Sequence, residues 1–261
     1  MQPVQQVLHV SGIWQKIALL ELNCQAAVEC PGSFSVPEIP ARDVQVVDVR
    51  DLPPRPGISK LEGQCRLLCD LASIELQAME IGLRTLIEFP DAPPEFRLRL
   101  AEITLDEGLH SRLCLEAMAA LGIPWGRWPV HVGLWRALDR SDTLLDRILI
   151  VHRYLEGAGL DAGQNILKKL IGVHAPGVVR VTERIARDEI AHVQFGSDWY
   201  RRICISQGLD PEEDFPRRMT VLKARLPRRL EPLHIPARMA AGFSKRELET
   251  LSRLQEEWRS G

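Results

Sequence analysis

The apolar positions of this chain recur at helical spacing over long stretches, and only one short run alternates as a strand would. Residues three and four apart share one face of a helix, so each such stripe marks a side that is to be buried. The first long stripe reads Leu68, Leu71, Glu75, Met79, Gly82, Leu86. It predicts a helix to about Glu88, opening at Ser59, where Ser59-Lys60-Leu61-Glu62 has the form of a capping box. Phe89-Pro90-Asp91-Ala92-Pro93-Pro94 then predicts a short turn and an antiparallel return. The second stripe reads Phe96, Leu100, Ile103, Glu107, His110, Cys114, Ala117, Leu121, and Gly122 and Pro124 end it.

Residues 123–140, with Trp125, Trp128 and Trp135, form a connection long enough to travel the length of a helix bundle. A third helix is expected from near Ser141, along Leu145, Leu149, His152 and Glu156, with a further short helix over Leu160–Val173. Pro176 suits the first turn of a fourth, striped Val178, Val181, Ile185, Glu189, His192, Gly196, Trp199. After Gly208 comes a proline-punctuated segment, then a last helix opened by the capping box Ser244-Lys245-Arg246-Glu247. Residues 1–58 are mixed: Asp43–Val49 is a strand candidate, and Asp51–Gly57 breaks regular structure.

Two of the stripes are interrupted by the same polar motif, Asp106-Glu107-Gly108-Leu109-His110 and Asp188-Glu189-Ile190-Ala191-His192. With the chain's 21 Glu, 14 Asp and 7 His, random placement gives about 0.03 copies of Asp-Glu-x-x-His, so two are informative. Each motif aims a carboxylate and an imidazole at one point, and burying such groups alone costs several kcal/mol apiece. A third Glu-x-x-His, at Glu231 and His234, lacks the Asp and lies among prolines, and reads as a loop coincidence.

The halves of the chain repeat. Glu75 precedes Glu107 by 32 residues and Glu156 precedes Glu189 by 33. Each half is a helix with a mid-stripe Glu followed by a helix with Asp-Glu-x-x-His. Two helix pairs joined by one long crossover match the ferritin-like four-helix bundle, whose known ligand plan this set also matches. The expected organisation is all-α: an N-terminal extension over 1–58, a ferritin-like bundle over 59–207 and a C-terminal helical extension over 208–261. Four carboxylates and two imidazoles balance two divalent ions and suit iron, with manganese or a mixed Mn/Fe pair as alternatives, better than zinc. The expected ligands are Glu75, Glu107, His110, Glu156, Glu189 and His192, with Glu107 and Glu189 bridging. Asp106 and Asp188 would hydrogen-bond the imidazoles and fix their orientation. Glu80 could replace or supplement Glu75, Asp161 reads as a surface or cap residue, and His152 shares a face with Glu156.

Composition agrees with this picture: 45% hydrophobic residues suffice for a core, and aromatics are only 5%. A net charge of −2 predicts neither nucleic-acid nor membrane binding from bulk charge. Cys24, Cys30, Cys65, Cys69, Cys114 and Cys204 show no framework spacing, and Cys65 and Cys69 read as small core residues. No signal-peptide pattern opens the chain, and no apolar run approaches the roughly 18 residues of a membrane span. The expected compartment is the cytoplasm.

Five segments carry a family resemblance: Ile74–Glu80, Asp106–His110, Pro129–Trp135, Leu155–Asp161 and Asp188–Val193. Together they resemble the uncharacterised ferritin-like family known as domain of unknown function 455, over about residues 59–205 and on through 237–243. The resemblance implies a ferritin-like bundle with a dinuclear metal site and supplies no substrate. One departure is Gly157, where alanine is expected. More distantly, the chain is similar to tRNA-hydroxylating di-iron monooxygenases.

The leading functional expectation is an O2-dependent di-iron oxidase or hydroxylase of unspecified small-molecule substrate. No nucleotide-binding glycine loop is evident, so reductant is expected either from a partner acting as external electron donor or from the substrate. The alternatives are a ferroxidase or iron-handling protein, a tRNA-modifying hydroxylase, and a non-catalytic bundle with ion-paired carboxylates. The basic stretch Arg217, Arg218, Lys223, Arg225, Arg228, Arg229 is either a solvated or internally paired face or a contact for RNA phosphates.

Overall fold

The computed structural model describes residues 6–260, so the first five residues of the expected N-terminal extension lie outside it. The fold is all-helical: α1 (Ile13–Glu29), α2 (Leu61–Glu88), α3 (Pro94–Ala120), α4 (Gly133–Arg136), α5 (Leu144–Ile148), a π-helical segment (Leu149–Leu155), α6 (Glu156–Leu170), α7 (Pro176–Ser206), α8 (Pro211–Leu222), α9 (Ile235–Ala240) and α10 (Lys245–Ser260). No helix among the described residues is long and apolar enough to cross a membrane. Among the described residues the chain divides into two compact units, one of residues 6–136 with 172–181, the other of residues 137–171 with 182–260.

In the first unit α2 and α3 form an antiparallel hairpin. Ser111 Oγ donates to Ala72 O at 3.0 Å, Arg97 Nη1 to Leu86 O at 3.0 Å, and a β-carbon at Gly82 would lie 2.2 Å from Thr104 Oγ1. Gly82 is therefore where the two helices approach too closely for any side chain. Arg97 also donates to Phe89 O, Ala27 O and Val28 O, satisfying carbonyls at the ends of both α1 and α2.

The region before Ser59 departs from expectation. It contains α1, whose buried face is Ile13, Lys16, Leu20, Asn23, Cys24 and Ala27. Leu20 reaches Gly108 on α3, where a β-carbon would meet its Cδ2 at 2.5 Å. The Asp43–Val49 run is not a strand. It contributes one isolated parallel bridge, Val46 with Val130, while Asp43 accepts from Ile13 N and Trp125 Nε1. Nor does Ser59 cap α2, which starts at Leu61 with Lys60 as N-cap and no side-chain cap bond. The tryptophan-rich connection packs back on this unit: Leu134 N donates to Gln77 Oε1 and Trp135 Nε1 to Glu38 O.

In the second unit the third helix is longer than expected. It begins at Leu144 rather than Ser141, behind a capping box of Thr143 and Asp146, and α5, the π-helical segment and α6 follow without a break to Leu170. Residues 160–170 thus continue it and are no separate helix. The Glu156 N–H bonds Val151 O, five residues back, which is the widened π pattern. α7 returns antiparallel. A β-carbon at Gly196 would lie 2.3 Å from His152 Cβ, and one at Gly163 would lie 3.2 Å from Ala186 Cβ. The capping box at Ser244 forms as expected, with Ser244 N to Glu247 Oε2 at 2.8 Å and Glu247 N to Ser244 Oγ at 3.2 Å.

Candidate metal centre

The α2–α3 hairpin sets Glu75 opposite Glu107 and His110. All three are buried, and each offers a ligand atom within 4.8 Å of the others, a spacing that a single metal ion could bridge. His110 Nδ1 lies 3.4 Å from Glu75 Oε2 and 3.5 Å from Glu107 Oε2. Burial pushes the Glu75 carboxyl well above its ordinary range, the imidazole of His110 opposes this, and the charge on Glu107 adds to it. Burial also works against charge on His110, but hydrogen bonding to Glu107 and Glu75 outweighs it and raises the imidazole to about 11. Two buried carboxylates and an imidazole grouped this closely form a donor set chemically fitted to a metal ion.

Glu80 does not share this cluster. It is buried and bound by Lys16 Nζ at 2.7 Å and by Arg42 Nη1 and Nη2 at 2.6 and 2.5 Å. Five residues rotate it about 140° from Glu75 around the helix. Asp106 is half-buried one residue before Glu107.

The second unit carries the other three expected residues. Glu156, Glu189 and His192 are buried, and His192 Nδ1 lies 3.7 Å from Glu189 Oε1. His152, buried one turn before Glu156, places Nδ1 2.8 Å from Glu156 Oε2. It packs edge-on against Phe195, with ring centroids 5.1 Å apart. The i,i+4 spacing of His152 and Glu156 was the signal available for this contact. Asp188 is engaged by Arg184 and Arg187 on its own helix.

Asp161 is a correction. Instead of lying at the surface it is buried, accepting from His234 N and from the Arg238 guanidinium. A burial-driven expectation could not foresee this, because Arg238 lies 77 residues away in the chain. His234, of the third Glu-x-x-His, caps α9 by accepting from Ala237 N. In the basic stretch, Arg217 and Arg218 bind Asp214, Arg218 also binds Asp146, Lys223 binds Glu257 and Arg225 binds Asp142. These four side chains pair with acids of the same chain.

Comparison with known proteins places this geometry among relatives of unsettled function. An uncharacterized protein of Haemophilus influenzae (strain ATCC 51907 / DSM 11121 / KW20 / Rd) is 29% identical over 228 residues, covering 82% of this chain and 76% of its own length. No solved structure matches the chain. The family model described as protein of unknown function (DUF455) matches residues 2–249, and the chain belongs to that family.

Proposed function

We propose that the chain is a ferritin-like di-iron carboxylate protein that carries out an O2-dependent oxidation or hydroxylation of an organic substrate. In this reading the two hairpins, α2–α3 and the long third helix with α7, assemble as one four-helix bundle and share a dinuclear centre. The observation that carries it is the cluster of Glu75, Glu107 and His110, buried with ligand atoms within 4.8 Å of one another, and the burial of the matching Glu156, Glu189 and His192 in the other hairpin supports the same reading there.

Glu75, Glu107, His110, Glu156, Glu189 and His192 would hold the two ions. Iron bound there would supply the electron-transfer chemistry of O2 reduction, with further electrons drawn from an external donor. The protein's own part is geometric. Burial keeps the ligands dry, and the His152 ring orients the Glu156 carboxylate through the 2.8 Å contact. Gly196 admits the π-helical segment close against α7.

Anaerobic reconstitution of the full chain with iron(II) tests the reading. Two ions per chain are expected, falling in Glu107→Gln and Glu189→Gln. Binding of less than about one ion per chain would exclude the dinuclear centre. Iron oxidation on exposure to O2 without an oxidised organic product from any reductant-supplied substrate panel would point to iron handling instead.

A further inference from the structure

The turn that carries Glu156 is gripped from outside by chain far away in sequence. Asp161, five residues on, takes three bonds from Arg238: Nε to Oδ1 and to Oδ2 at 3.1 Å each, and Nη2 to Oδ2 at 2.7 Å. The same guanidinium lies against Gly157, where a β-carbon would meet Nη1 at 2.8 Å. This gives the glycine a reason to stand where alanine was expected: any side chain there presses on the guanidinium that Asp161 holds.

Three residues before Glu156, Arg153 is fully buried, with Nη2 2.5 Å from Glu247 Oε2 and its guanidinium 4.0 Å above the Phe243 ring. Glu247 is fixed in turn by the capping box with Ser244. Arg238 and Glu247 thus bracket Glu156 from both directions along its helix. The segment just ahead of Glu156 is π-helical, a rare winding that recurs at functional sites, and it ends at the turn these contacts flank. The first unit holds a counterpart. Glu80 follows Glu75 by five residues, as Asp161 follows Glu156, and it too is buried and paired with cations from distant chain, Lys16 and Arg42.

We propose that the Arg238–Asp161 and Arg153–Glu247 pairs are a positioning clamp that fixes the rotation and depth of the Glu156 turn and so sets how tightly that half of the centre holds its metal. The proposal rests on the reading of Glu156 as a metal ligand. None of the four residues touches the metal; they act through the backbone on either side of Glu156.

Cobalt(II) binding to the full chain, followed by visible absorption and titration, tests this well below the unfolding temperature. Four variants are compared: Glu156→Gln, Gly157→Ala, Arg238→Lys, and the paired Asp161→Leu/Arg238→Met, which removes both charges together and so spares the fold an unpaired one. Glu156→Gln is expected to lose or strongly weaken one cobalt equivalent. The other three keep both equivalents but bind one of them roughly tenfold more weakly, with a shifted ligand-field band, as loss of a ligand's supporting contacts does. Wild-type affinity and spectrum in all three, even with lowered melting temperatures, would reduce the Arg238–Asp161 pair to a fold stabiliser and overturn the clamp. A Glu156→Gln protein that retains both equivalents and the native spectrum would remove Glu156 from the ligand set, and the clamp with it.

Discussion

The β-carbon that Gly196 lacks would fall 2.3 Å from the β-carbon of His152. Nothing in an α-helix can give by that much without moving apart, so α7 and the π-helical segment are in contact at backbone distance. Gly196→Ala is expected to destabilise the chain by about 1–3 kcal/mol, as overpacking does, even though alanine is otherwise favoured in a helix by about 1 kcal/mol. Gly177, on the same helix with open space around it, is the control: its alanine variant gains stability. Urea unfolding of the two variants measures both signs.

The Lys16–Glu80–Arg42 cluster is wholly buried in its pairing atoms. Removing one partner of a buried pair leaves an uncompensated charge. Glu80→Gln strands two cations at once, so a loss of about 3–5 kcal/mol is expected. Lys16→Met costs less, because Arg42 still neutralises the carboxylate and the methionine fills the stem's volume. Denaturant midpoints of the two variants should fall in that order.

Acid sensitivity should trace in part to Asp214. Burial opposes its charge, but hydrogen bonds from Arg218, Tyr200 and Arg217 prevail and hold its carboxyl at about 2, below the ordinary 3.8. A carboxyl depressed in the folded state stabilises the fold fully above the unfolded value and loses that contribution as pH falls through the folded one. The loss attributable to this residue therefore lies between about pH 4 and about pH 2. Asp214→Asn should flatten the stability curve in that window and lower stability at neutral pH, which thermal melts across pH can resolve.

Thiol chemistry should single out one position. Cys30 is exposed, while Cys24, Cys65, Cys69, Cys114 and Cys204 are buried. Burial pushes the Cys24 and Cys69 thiols up to about 12 and that of Cys204 up to about 11. A thiolate-specific reagent on the native protein should label Cys30 rapidly and the rest only on unfolding. Cys30→Ser should abolish the fast phase.

The helices that carry the candidate ligands were legible because their chemistry punctuates a regular stripe: Glu107 and His110 stand three apart, and so do Glu189 and His192. The buried Glu75 and Glu156 were legible for the same reason. α1 was not. Its core face runs Ile13, Lys16, Leu20, Asn23, Cys24, Ala27, a helical spacing with a lysine and an asparagine in it. Those two are buried because Lys16 donates to Glu80 and Asn23 Oδ1 accepts from the Val7 N–H, and neither partner is visible from local sequence. Asp161 failed for the same reason, its partner Arg238 being distant. The Val-rich run from Asp43 has the composition of a strand, but strands need neighbours, and only Val130 pairs with it. The π-helical segment left no mark at all in composition, since Leu149–Leu155 suits either winding.

The two clasps on the ligand helices also bear on the order in which the chain folds. Within the α2–α3 hairpin the partners are near in sequence, whereas Lys16 closes on Glu80 across 64 residues and Arg238 on Asp161 across 77. Short loops close sooner than long ones. The hairpins should therefore condense first, with their acids at positions 80 and 161 still hydrated, and the distant cations should dock late. Slow amide protection at α1 and α9 during refolding, after α2 and α3 are already shielded, is the kinetic signature of that sequence of events.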